Sequence, residues 1–190
     1  MQLRREQLLL ACLYLTPFSI SAEPTININT SYYPVFGNNA FSIRQSIQQD
    51  GPVGQNGKQF HASTTWKVNW SYRWTESRSV CRLNQLKVNV DIDYLLPELK
   101  SLNELDETLQ KRWKHYSEAL FKHEQQHKEV GLEAARELEK RLLAIPQLPC
   151  NEFETTLAQT AQQVLDEYDA LEKKFDLDTN HGINQGVILP

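Results

Sequence analysis

The apolar residues of this 190-residue chain change their period after Pro97, and that change constrains the fold more than any other feature. Before it, Trp66, Val68, Trp70, Tyr72 and Trp74 fall on every second position, with Lys67, Asn69, Ser71 and Arg73 between them. A period of two puts the apolar set on one side of a sheet. Leu86, Val88, Val90, Ile92 and Tyr94 do the same against Lys87, Asn89, Asp91 and Asp93, and the polar segment 76–79 closes the two runs into an antiparallel hairpin. After Pro97, apolar positions step by three or four: Leu102, Leu105, Leu109, Trp113, Tyr116, Leu120, His123, His127, Val130, Ala134 and Leu138, then Arg141. This stripe predicts one or two helices over 102–143, ended by Pro146 and Pro149. Another helix is expected over 152–175, with Phe153, Leu157, Ala161, Val164, Tyr168 and Leu171 inward. The expected class is α+β: an antiparallel hairpin or small sheet in the N-terminal half, packed against two or three long C-terminal helices.

Shorter signals complete this organisation. Ile26, Ile28, Thr30 and Tyr32 alternate with polar residues, which predicts a first strand stopping at Pro34. A short helix is expected over 41–49, begun near Asn38-Asn39 and ended by Gly51-Pro52. Gly54 and Gly57 lie in a loop that lacks the Lys-Ser/Thr ending of a phosphate loop. The tail 176–190 has no periodicity and is expected to be irregular. The tryptophan stripe admits two readings, a carbohydrate platform or a core face covered by a helix, and the second is the expectation.

The N-terminus has the form of a secretory signal peptide. Arg4 and Arg5 precede an apolar run at 8–20 that is too short to span a bilayer, and Ser21-Ala22 offers small residues for cleavage. An uncleaved anchor is the alternative; a lipoprotein reading of Cys12 fails because the apolar run continues well past it. The expected organisation is therefore a signal peptide over 1–22 and one domain over 23–190, β-rich to 97 and helical from 98. A periplasmic or secreted location follows, with no stable membrane insertion after signal removal. Export leaves Cys81 and Cys150 as a pair in an oxidising compartment, where a disulfide is expected in preference to two buried thiols. A formal net charge of −4 supplies no positive field for phosphates, so no nucleic-acid partner is expected.

His123-Glu124-Gln125-Gln126-His127 is the HExxH pattern, on a segment that already reads as helical. Four residues advance a helix by about 400°, so the two imidazoles lie about 40° apart and one turn above each other. Both can reach one zinc ion. Glu124, about 100° round from His123, is placed to touch a water beside the metal and serve as general base. Both histidines lie in the apolar stripe, where imidazoles without partners would face a desolvation cost. Zinc removes that cost; a core pair bonded to buried carboxylates is the competing explanation. A catalytic zinc needs a third protein ligand and an open fourth position. No histidine follows at the spacing of an extended HExxH signature. His61 and His115 are most simply surface residues. His181, after the last helix, is the favoured third ligand, with Asp169, Asp176 and Glu172 as rivals.

The motif, the hairpin Thr65-Trp66-Lys67-Val68-Asn69-Trp70-Ser71-Tyr72, Cys81-Arg82 and the closing Asp176-x-x-Thr179-x-His181-Gly182-x-x-Gln185-Gly186 resemble a bacterial family of unknown function described as predicted secreted zinc-dependent proteases. The likeness extends to Tyr33-Pro34-Val35 and Gly51-Pro52 and covers nearly all of the chain after the signal. It implies export and an HExxH zinc site. Members typically carry tyrosine where Phe175 stands. If that tyrosine stabilised the oxyanion, Tyr168 or Asn180 would have to substitute here.

The leading expectation is an exported zinc metallopeptidase acting on a peptide or protein, with zinc on His123, His127 and His181 and Glu124 as base. One alternative keeps the zinc hydrolase and makes peptidoglycan the substrate. The other is a non-enzymatic binding or scaffold domain with a structural zinc. Neither the natural substrate nor the oligomeric state is legible in the sequence.

Overall fold

A computed structural model describes residues 23–54 and 57–189. The expected signal peptide at 1–22, including Cys12, lies outside the described residues. The fold is α+β, with a mixed four-stranded sheet and three helices. In chain order these are β1 (Thr25–Val35), α1 (Ala40–Asp50), β2 (Ser63–Ser77), β3 (Val80–Leu99), α2 (Glu107–Leu143), β4 (Leu148–Pro149) and α3 (Cys150–Thr179). Among the described residues no helix is long and apolar enough to cross a membrane.

The hairpin expected from the alternating runs is β2–β3, antiparallel, with Trp66 opposite Ile92, Val68 opposite Val90 and Trp70 opposite Val88. Its turn is Arg78-Ser79, both left-handed at φ 52° and 62°, the sense that matches the twist of the flanking strands. Pairing of β1 was not legible from its alternation. It lies parallel to β3, Ile26 beside Val90 and Ile28 beside Ile92, and the connection through α1 carries the chain across β3 to β2, giving the order β1-β3-β2. The two-residue β4 pairs with the start of β3. Because α2 packs over β2 and β3, edge strand β1 stays open on that side, and Ile26 and Ile28 are exposed despite sharing a face with core residues.

The short first helix forms where Asn39 caps it: its side chain accepts from Ser42 N at 3.0 Å, and Ser42 Oγ accepts from the Asn39 N–H. Ile43 and Ile47 are then buried completely. The 102–143 stripe becomes the single 37-residue α2, capped by Asp106, with Leu109, Trp113, Tyr116, Leu120, His123, His127, Ala134 and Leu138 on its buried face. Gly131 on that face lets helix and sheet meet: a Cβ there would lie 2.7 Å from Trp66 Cβ. Most of the tryptophan stripe packs on the core, with Val68 buried and Trp66, Trp70 and Tyr72 half-buried, while Trp74 is exposed. At its far end Trp74 packs against Phe153, ring centroids 6.4 Å apart.

Helix α3 begins earlier and ends later than its apolar residues suggest. Phe153, Leu157, Ala161 and Val164 are buried, but Leu171 is half exposed. The inward face continues through Glu172 and Asp176, polar residues that an apolar periodicity cannot count. Cys81 and Cys150 form a disulfide that ties the start of β3 to the start of α3.

Candidate metal centre

Helix α2 places His123 and His127 one turn apart on its buried face, and α3 presents Glu172 and Asp176, also one turn apart, opposite them. The result is an equilateral set of donors. Nε2 of His123 lies 3.2 Å from Nε2 of His127, and each lies 3.2 Å from Oδ1 of Asp176. Ligands about 2.0–2.1 Å from a tetrahedral zinc stand roughly 3.3–3.4 Å from one another, so the three atoms have the spacing of three corners of such a site. These residues fit a zinc ion, and two nitrogens of the same kind aimed at each other and at a carboxylate need a cation or protons between them. Burial opposes charge on His127, but the carboxylates of Asp176 and Glu172 override it and lift its pKa to about 10. Burial would raise Asp176, and its bonds to His123 and His127 instead hold it well below the ordinary carboxylate range. Both shifts have one meaning: the pocket favours positive charge beside an ionised Asp176.

The outer nitrogens of both imidazoles face polar groups, and that of His123 is hydrogen-bonded. Nδ1 of His123 donates to Oε1 of Gln185 at 2.8 Å, and Gln185 Nε2 donates to Gln126 Oε1 at 3.1 Å. Nδ1 of His127 lies 3.0 Å from Oε1 of Glu172, an ion-pair contact that is off-line for a good hydrogen bond. Trp66 Nε1 donates to the other oxygen of Glu172. Such partners fix the tautomer that leaves Nε2 free for a metal. Phe175 stacks on His123 at 5.0 Å and meets His127 edge-on at 4.9 Å. It buttresses the imidazoles and is not among the residues that line the adjoining cavity.

Glu124 is buried, and Thr64 Oγ1 donates to its Oε2 at 2.6 Å. Burial raises its pKa, against the pull of Thr64, His127 and His123. His123, Glu124, His127 and Asp176 all border one cavity of about 520 Å³, whose opposite wall includes the segment 52–54 and 58–65.

His181, the expected third ligand, is not one of the three clustered donors but contacts Asp176. Its Nδ1 is 3.4 Å from Oδ2 of Asp176, its ring meets Phe60 edge-on, and it borders the same cavity. Among the described residues, the compact donor set around the two imidazoles is completed by Asp176. Of the other rivals, Glu172 contacts His127, and Asp169 pairs with Lys173 at the surface. His115 is exposed, as expected. His61 is not: it is half-buried, borders the cavity and packs edge-on against Tyr116 at 5.9 Å.

The segment after α3 is ordered by the site it covers. Asn180, His181, Gly182 and Gly186 are left-handed, and a Cβ on Gly182 would lie 3.1 Å from His123 Cγ. That backbone brings Gln185 to His123 and buries Val187. Sequence reasoning missed Gln185, Thr64 and Trp66 as partners of the site; for the pair Glu172 and Asp176, the four-residue spacing that puts both on one helical face was a signal left unused.

A family model described as "Bacterial protein of unknown function (DUF922)" matches residues 30–182. The chain belongs to this family. The matched span of this DUF922 protein runs from β1 to Gly182, so it includes both imidazoles, Glu124, Asp176 and His181. Neither the curated proteins nor the solved structures contain a match to it.

Proposed function

We propose that this DUF922 protein is an exported zinc-dependent metallopeptidase. The observation that carries the reading is the 3.2 Å triangle of His123, His127 and Asp176 with a buried glutamate beside it on an open cavity. Structural zinc sites are closed by four protein ligands, whereas catalytic sites keep three and leave one position for reactants. His123, His127 and Asp176 hold the metal, and His181 supports Asp176. Zinc, when bound, supplies Lewis acidity that polarises a carbonyl and acidifies water.

Glu124 takes the proton of the attacking water and delivers it to the leaving amine. Burial raises its pKa, which makes its carboxylate a stronger base towards the proton of the water. Thr64 holds one carboxylate oxygen and so orients the other. Strand β2 pairs only with β3 among the described residues, which leaves its second edge to hold an extended peptide by main-chain hydrogen bonds where 63–65 border the cavity. The Cys81–Cys150 disulfide supports action in the periplasm or outside the cell.

The test is Glu124→Gln in the zinc-loaded protein, assayed against a broad peptide library. The variant should keep its zinc and lose activity by about a hundredfold or more. Undiminished turnover would refute the mechanism, and one zinc per chain without cleavage by the parent protein would favour a structural metal.

A further inference from the structure

We propose that the cavity beside the triangle is a side-chain pocket selecting peptides with an aliphatic or aromatic residue at the bond to be cut. The inference takes its occupant, a peptide, from the peptidase reading above and adds what that peptide must carry.

The cavity's charged groups already have partners. Glu172 serves His127 and Trp66, Asp176 serves the imidazoles, Glu124 is held by Thr64, and the Lys58 ammonium lies 5.4 Å from the centre of the Phe60 ring. Beside these groups and the polar side chains of His61, Ser63, Thr65, Asn180 and His181, an apolar set from separate parts of the chain borders the cavity. Val53, Phe60 and Ala62 from the segment before β2, Ile183 and Val187 from the segment after α3, and Leu120 from α2 all line it. Ala62, Leu120 and Val187 are buried, while Val53 and Ile183 stand at the rim 64% and 51% exposed. Two large apolar side chains left in water at the mouth of an apolar cavity gain burial when an apolar group enters between them.

The walls are also held in shape before any ligand arrives. Phe60 N donates to Pro52 O at 2.8 Å, Gly54 N to Lys58 O at 2.8 Å, and the Gln59 amide to Gln49 O and Gly51 O. After α3, Ile183 N donates to Asn180 O and Val187 N to Gly182 O. A preformed apolar pocket avoids the ordering cost that would blunt selectivity. At about 520 Å³ the space is in the range of small-ligand sites, and it continues directly into the metal centre and the free edge of β2.

The experiment compares short blocked peptides that differ in one central residue, Leu or Asp, bound to zinc-loaded Glu124→Gln protein and measured by calorimetry. The Leu peptide should bind about tenfold or more tightly. Adding Ile183→Asp, at a rim position exposed enough to tolerate the change, should bring the two affinities within about twofold. Equal binding of both peptides, or a preference that survives Ile183→Asp and Phe60→Ala, would overturn the inference. A turnover arm with the unmutated protein separates the two ideas: selective binding without cleavage sinks the peptidase reading alone, and cleavage with no preference for the Leu peptide sinks the pocket alone.

Discussion

Nδ1 of His123 lies 2.8 Å from Oε1 of Gln185, sixty-two residues later in the chain. That hydrogen bond ties the C-terminal turn to the metal helix and selects the tautomer whose Nε2 points into the donor triangle. Replacing Gln185 with alanine leaves every proposed ligand in place but removes this control. Zinc affinity should fall by about 10–100-fold, the usual cost of losing such a partner. Competition with a chelator of known affinity measures it, and unchanged affinity would show that the turn only covers the site.

Trp66 and Gly131 give a second prediction. A Cβ at position 131 would come within 2.7 Å of Trp66 Cβ, part of the side-chain stem and not a mobile tip. Gly131→Ala therefore trades a gain in helix propensity for overpacking of about 1–3 kcal/mol. It should lower stability in denaturant titrations. Because Trp66 also donates to Glu172, it should weaken zinc binding too. A more stable Gly131→Ala protein would contradict this packing.

How far the sequence reading reached depends on what kind of signal each element carries. The hairpin and α2 were legible because their apolar residues repeat at one period over many turns. Glu124, His123 and His127 were legible because HExxH is local. Asp176 was weighed as a rival ligand yet ranked below His181, because a linear reading cannot say which of two donors five residues apart turns towards the metal helix. In the structure Asp176, on the last turn of α3, meets both imidazoles, and His181, after the left-handed turn at Asn180, contacts Asp176 itself. The parallel docking of β1 was hidden for a similar reason: alternation shows which face is apolar and says nothing of which neighbour a strand takes.

The disulfide yields a third prediction. Cys81 and Cys150 close a loop of 69 residues, for which chain entropy gives a stabilisation of about 4 kcal/mol. The Cys81→Ser, Cys150→Ser double variant should unfold at markedly lower denaturant, and reducing agent should shift the parent protein but not the variant. A reductant-insensitive parent would contradict the bridge.

His61 gives the pH dependence. Burial lowers its pKa, so the folded protein holds it neutral more strongly than the unfolded chain does. Its contribution is therefore fully present above the ordinary histidine pKa of about 6.5 and is lost as pH falls through the lower folded value. Unfolding free energies measured between neutral pH and pH 5 should fall more steeply for the parent than for His61→Gln. Parallel curves would mean that His61 is solvated in the folded state.

Zinc content bears most directly on the account as a whole. Protein purified without added metal, dialysed and analysed by mass spectrometry for metals should carry one zinc per chain. Asp176→Ala should lose it under the same dialysis, while His181→Ala should retain most of it. A parent protein without zinc, or an Asp176→Ala protein that keeps its zinc while His181→Ala loses it, would contradict the triangle as the metal site.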